Sequence, residues 1–153
     1  MRHFYIWISS GLGIGRLPFA PGTWAAAAGV LPLLLFANVS FVWRNAVLLL
    51  LITIFTILGA RAARYLAPEW GKDPRQIVID EIAGVWVALL GCSRWQWQYL
   101  LAGFVLFRFF DIAKPLGIKK AEQLKNGWGV MADDLLAGLY ANILIQIFMA
   151  LYG

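Results

Sequence analysis

The sequence predicts an all-α fold, a polytopic membrane bundle of about five membrane helices preceded by an N-terminal interfacial segment and a glycine-rich loop. Three observations carry this. Of 153 residues, 61% are hydrophobic and 14% charged, too apolar for a soluble domain of this length. Apolar runs of near-spanning length recur along the chain. The basic residues, finally, fall on one side of the threading that those runs define. Residues 1–153 are read as a single domain.

Taken in order, His3 to Gly15 is an apolar stretch without a small-residue cleavage pattern, read as retained and interfacial. The expected membrane helices are Thr23–Trp43, Asn45–Ala60, Ile77–Cys92, Trp95–Ala113 and Leu135–Tyr152. The middle ones are short for a span and need burial within the bundle or snorkelling arginines. Leu66–Gln76, with Pro68, Gly71 and Pro74, is a loop in which Glu69 and Asp73 are expected to be solvated. With the N-terminus in the cytoplasm, eleven basic residues fall on that side and only Arg44 and Arg94 on the other, which sets the orientation.

The net charge of +5 suits an anionic lipid surface. Nucleic acid is not expected as a partner, because the basic residues form no dense stripe and the aromatics lie in apolar runs. A single cysteine, Cys92, and a single histidine, His3, exclude a disulfide and a thiol metal site and leave little for a Cys or His nucleophile.

The same threading brings Asp80, Glu81, Asp111, Asp133 and Asp134 to the cytoplasmic ends of their helices, with Arg108 and Lys114 beside them. Asp133 and Asp134 are expected to open the last helix, where capping is an alternative reason for an acid. From Asp80 every fourth residue is Gly84, Ala88 and Cys92, and from Asp134 it is Gly138, Asn142 and Gln146. Small and polar stripes of this kind mark helices packed on each other. Five carboxylates in one cavity require a cation, since two like charges about 4 Å apart repel by about 4 kcal/mol at an effective dielectric of 20. Oxygen ligands without His or Cys select Mg²⁺, Mn²⁺ or Ca²⁺ over zinc, and Mg²⁺ completes its shell with water and phosphate. A phosphate-bearing substrate is therefore expected. In the loop from Gly11 to Thr23, glycines 11, 13 and 15 could present an anion nest, with Arg16 supplying charge and Thr23 standing near a helix N-terminus.

The blocks GLGIGRLPFAPGT, VIDEIAGVWVAL, FRFFDIAKPLGI and NGWGVMADDLLAG, in this order between Gly11 and Gly138, resemble the phosphatidylglycerophosphatase A family of bacterial inner-membrane lipid phosphatases. The resemblance implies Mg²⁺-dependent removal of the terminal phosphate of phosphatidylglycerophosphate, giving phosphatidylglycerol, at the cytoplasmic face of the inner membrane. Asp80 and Glu81 match the family's Asp-Glu pair, Arg108, Asp111, Lys114 and Pro115 its FRxxDxxKP block, Asp133 and Asp134 its Asp-Asp pair, and Pro21, Gly22 and Thr23 its Pro-Gly-Thr. Two departures stand out: Trp24, Ala25 and Ala26 replace a stretch that often carries Gly-Ser, and Gly117 replaces a frequent second proline.

The expected mechanism is metal-assisted hydrolysis. Ligands come from Asp80, Glu81, Asp111, Asp133 and Asp134, and a free carboxylate among Asp80, Glu81, Asp111 and Asp134 handles the attacking water. Arg16, Thr23, Arg108 and Lys114 bind the substrate. An aspartyl-phosphate route ranks second. The alternatives to a phosphatase are a CDP-alcohol-type headgroup transferase, which would carry an Asp-Gly run absent here, and a transporter or channel subunit. Oligomeric state is not legible.

Overall fold

A computed structural model describes residues 1–72, 74–93, 95–115 and 117–152. Asp73 and Arg94, for which the sequence suggests a solvated loop and the face opposite the acids, lie outside these residues. Among the described residues the chain is all-helical: α1 Arg2–Ser9, α2 Pro21–Val30, α3 Phe41–Trp70, α4 Ile79–Leu89, α5 Trp97–Ala113, α6 Ile118–Ala121 and α7 Trp128–Tyr152.

The all-α class agrees with the sequence; five full crossings do not follow. Two helices, Phe41–Trp70 and Trp128–Leu151, are long and apolar enough to cross a membrane. The run read as Thr23–Trp43 breaks. After Val30 it tightens into a 3₁₀ segment, Leu31–Phe36, because Pro32 has no N–H to give to the turn before it. The chain then turns, so Trp43 belongs to α3. That helix continues beyond Ala60 to Trp70: Arg61 and Arg64 end the apolar run, but a segment rich in Ala, Arg and Leu keeps the helix going. It ends two residues after Pro68, at Trp70, and is capped by Gly71 with φ 89°.

The N-terminal segment, read from the sequence as interfacial, is a helix held to the end of α3. Arg2 pairs with Glu69 at 2.9 Å, and the Tyr5 and Tyr65 rings lie 4.9 Å apart. Glu69 is thus in a surface ion pair rather than simply solvated, an interaction worth at most about 1 kcal/mol.

The core is the contact of α4 with α7, flanked by α2, α3 and α5. A Cβ on Gly138 would meet the Gly84 carbonyl, and one on Gly84 would meet Phe107 and the Asp134 carbonyl, so the small stripes read from the sequence are the faces in contact. The polar members of the α7 stripe have a separate task. At 11 residues, α4 rises only about 16 Å, half of a hydrocarbon core. Its last carbonyls are met from outside. Asn142 Nδ2 donates to the carbonyls of Ala88 at 3.0 Å and Leu90 at 2.6 Å, and Gln146 Nε2 to that of Leu90 at 3.2 Å. The Gly91 N–H donates to Asn45 Oδ1 at 2.6 Å. Arg44, buried, donates to the Cys92 carbonyl at 2.8 Å and lies 4.6 Å from the Trp95 ring centroid. A helix can stop inside an apolar bundle only where its end is satisfied in this way.

Candidate active site

All five carboxylates lie at the other end of α4. They line one cavity of about 400 Å³ together with Pro21, Gly22, Thr23, Arg75, Arg108 and Lys114. The chain directions explain the convergence: α2, α4 and α7 start at this end, and α5 finishes there.

The five acids are not equivalent. Oxygens of Asp80, Glu81 and Asp134 come within 4.8 Å of one another; Asp80 and Asp134 are buried and Glu81 is half-buried. Glu81 Oε2 is shielded from solvent and has no hydrogen-bond partner among the described residues. The other two acids face cations. Asp111 pairs with Arg108 one turn away on α5, and Asp133 accepts from Lys114 Nζ at 2.7 Å. Lys114 also donates to Glu122 at 2.6 Å, which locks it between α6 and α7. Burial alone would lower the Lys114 pKa, but its hydrogen bonds to Asp133 and Glu122 outweigh this and raise it above the usual lysine value. The ammonium is therefore a fixed positive charge.

These positions correct two sequence readings. Helix α7 begins at Trp128, with no acid in its first turn, so Asp133 and Asp134 sit in the second turn and are not caps. The glycine-rich loop is not an anion nest. The N–H groups of Gly11, Gly13, Gly15 and Arg16 donate to the carbonyls of Ile8, Ser10, Ser10 and Gly13 respectively. The loop instead braces the approach to α4: the Val78 N–H donates to the Ser9 carbonyl at 2.8 Å, and a Cβ on Gly15 would clash with the Gln76 carbonyl. Arg16 lies outside the acid cavity, in a neighbouring one it shares with Pro21 and Arg75.

The Pro-Gly-Thr stretch does reach the site, as the first turn of α2, where N–H groups lack intrahelical acceptors. It is aimed by Ala20, in the left-handed region at φ 46°. Lys114, at φ 43°, is the second non-glycine residue of this kind at the cavity; strain of about 1 kcal/mol or more at each is typical of functional sites. Ala25 and Ala26, which stand in the stretch that departs from the family pattern, are fully buried in the core. Sequence reasoning missed Arg75, which lines the cavity, and Glu122; both sit in polar segments where a charge signals only solvation. The local signals were that Arg75 stands just before the Asp-Glu pair, and that Glu122 lies in the segment joining the Lys-Pro and Asp-Asp blocks.

The donor set fits a hard divalent cation. Opposite oxygens in an octahedral Mg²⁺ shell are about 4.2 Å apart, close to the spread of the three carboxylates, and the buried Glu81 Oε2 has no hydrogen-bond partner among the described residues. Clustered acids facing held cations, at a helix N-terminus, are the equipment of an enzyme that acts on phosphate esters.

Comparison with known proteins agrees. The family described as phosphatidylglycerophosphatase A matches residues 7–149, and the chain belongs to it; the protein is a phosphatase. It is 36% identical over 140 residues to phosphatidylglycerophosphatase A of Haemophilus influenzae, covering 90% of this chain and 84% of that one. To the Escherichia coli protein of the same name it is 32% identical over 133 residues, 86% and 76% of the two chains. It is 46% identical over 147 residues, 92% of this chain and 90% of the other, to a Bacteroides thetaiotaomicron protein with the provisional name phosphatidylinositol-3-phosphatase. No solved structure matches the chain.

Proposed function

We propose that this phosphatase hydrolyses the terminal phosphomonoester of phosphatidylglycerophosphate to phosphatidylglycerol and inorganic phosphate, at the cytoplasmic face of a bacterial inner membrane. The observation that carries this reading is the single cavity in which Asp80, Glu81 and Asp134 meet, opposite Arg108 and Lys114. Asp80, Glu81 and Asp134 would hold Mg²⁺, which when bound supplies Lewis-acid stabilisation of the phosphoryl charge and a more acidic water. Asp111 and Asp133 have a different part. By binding Arg108 and Lys114 they keep two cations turned toward the phosphate, where negative charge must be offset during transfer. Thr23 and the first-turn N–H groups of α2 would bind the remaining phosphoryl oxygens.

In the hydrolysis, the oxygen of a water forms a bond to phosphorus as the bond to the glycerol oxygen breaks. The water's proton passes to a carboxylate not engaged in ligation and from there to solvent, and the departing alkoxide takes a proton from solvent water, so the carboxylate ends the cycle as it began. Asp111 borders Asp134 and would accept the first of these protons. Only the headgroup need reach the cavity. The basic residues around this end, among them Arg64, Lys72, Lys119 and Lys125, support this orientation on the positive-inside rule.

The Bacteroides relative's name favours a second reading, in which the lipid phosphate is carried on an inositol ring. Phosphate release by purified protein in detergent, from phosphatidylglycerophosphate and from phosphatidylinositol 3-phosphate, decides between them. Release from the first, abolished by chelation and restored by Mg²⁺, is the expected result. Preference for the inositol lipid would overturn the substrate, and release insensitive to chelator would overturn the metal.

A further inference from the structure

The geometry points to an acyl-chain site in the seam between α2 and α5, so that the headgroup cavity and an apolar groove form one continuous lipid-binding track. This rests on the reading of the substrate as a lipid phosphate. The two helices run antiparallel, and the same face of each serves both places. On α2 and the 3₁₀ segment that extends it, Thr23 lines the acid cavity, while Ala27, Leu31 and Leu34 line an apolar groove of about 280 Å³. These residues follow one another at helical spacing on a single stripe. On α5, Arg108 lines the cavity, and Phe104 and Leu101, one and two turns before it, line the groove. The stripe from Thr23 to Leu34 extends about 18 Å along the axis, with the 3₁₀ segment rising faster than the α-helix, from the depth of the carboxylates toward the opposite end of the bundle.

The floor of the seam is α4, held close where Gly29 packs on Ile82 and Val85, and Gly103 on Leu89. A lipid phosphate bound between Arg108 and Thr23 therefore leaves its glycerol at the head of this seam. The chain that follows has an apolar wall on each side. A second groove, of about 730 Å³ between α5 and α7, includes Gln96, Tyr99 and Ala102. Its α7 wall begins only at Leu144, ten residues beyond Asp134, whereas the seam begins one turn from Thr23 on α2 and one turn from Arg108 on α5, so the occupant assigned here is specific to the α2–α5 seam.

The test compares purified full-length wild type, Ala27→Phe, Leu101→Trp and Ala102→Phe in detergent, on a long-chain lipid phosphomonoester and on its short-chain soluble counterpart. Leu101 is exposed, so its replacement reads the seam even where Ala27→Phe does not fold. Filling the seam should lower the long-to-short ratio of kcat/KM by about tenfold or more, the scale at which one hydrophobic pocket discriminates. Ala102→Phe should leave the ratio as it is. An unchanged ratio in both seam variants, or a fall only in Ala102→Phe, overturns the proposal. A long-chain phospholipid with a photoactivatable group on its acyl chain gives a readout independent of turnover: label concentrated on residues 27–34 and 97–104 is expected. Label spread evenly over all apolar helix faces overturns the seam. Absence of phosphate release from either substrate by folded wild type would instead remove the phosphatase substrate reading, with the labelling still judging the seam.

Discussion

Gly22 and the Glu81 carboxylate are packed so closely that a Cβ on Gly22 would fall on the carboxylate itself. The first turn of α2 therefore forms the wall against which one of the three clustered acids is set. Gly22→Ala should push Glu81 aside at little cost to the fold, since the group displaced is the end of a side chain. A misplacement of about 1 Å costs on the order of 10²-fold in rate. Phosphate release should fall on that scale while the thermal unfolding midpoint barely moves. Equal loss of both would mean that the contact is only structural.

Asn142 should matter for stability rather than turnover. Its amide meets the carbonyls of Ala88 and Leu90 where α4 stops inside the bundle. Asn142→Leu leaves these acceptors without that donor, a loss of about 1–3 kcal/mol, with Gln146 still serving Leu90. Denaturation in detergent should show the loss, and the surviving folded protein should keep its KM.

The acids were legible in the sequence because charge beside apolar runs has few cheap explanations, and the Asp80 and Asp134 stripes gave the α4–α7 contact from spacing alone. The purpose of Asn142 and Gln146 was not legible. Their partners are backbone carbonyls at the end of a short helix, and carbonyls leave no mark in a sequence. The start of α7 was missed because Gly127, Trp128 and Gly129 look like a turn leading into a helix; Gly129 is instead inside the helix, where a Cβ would strike the Glu122 carbonyl. The loop glycines misled because glycine serves equally to expose N–H groups and to let backbones touch. The hydrogen bonds to the Ile8 and Ser10 carbonyls decide for the second.

Lys114 should be needed in its charged form across the working pH range. Its pKa is raised in the folded state from an ordinary value of 10.5. The stabilisation it contributes is thus fully present below that ordinary value and is lost only as pH climbs through the higher folded one. A pH–rate profile should show no alkaline limb from Lys114 below about pH 10. Lys114→Met strips Asp133 of its cation and should cost up to about 3 kcal/mol, less than a fully buried pair because the lysine is partly exposed. Glu122→Gln, which weakens a more exposed contact, should cost under about 1 kcal/mol. A larger effect from Glu122 than from Lys114 would reverse the assignment of Asp133 as the principal partner.

Asp134→Asn separates the cost of the acid cluster from its use. Three carboxylates within 4.8 Å of one another repel, so the metal-free fold pays for holding them together. In chelator the variant should unfold at a higher temperature than wild type, with a gain of about 1–2 kcal/mol from removing one charge. Adding Mg²⁺ should reverse the order. A cation at a hundred times its Kd stabilises the protein that binds it by about 2.7 kcal/mol, and the variant, missing one ligand, should gain far less. Its activity should drop by at least about 10²-fold. If Mg²⁺ raises the midpoints of both proteins equally, Asp134 is not a ligand and the cation, if bound, sits elsewhere among the acids. If the variant is less stable than wild type even in chelator, the cluster is held by hydrogen bonds that outweigh its repulsion.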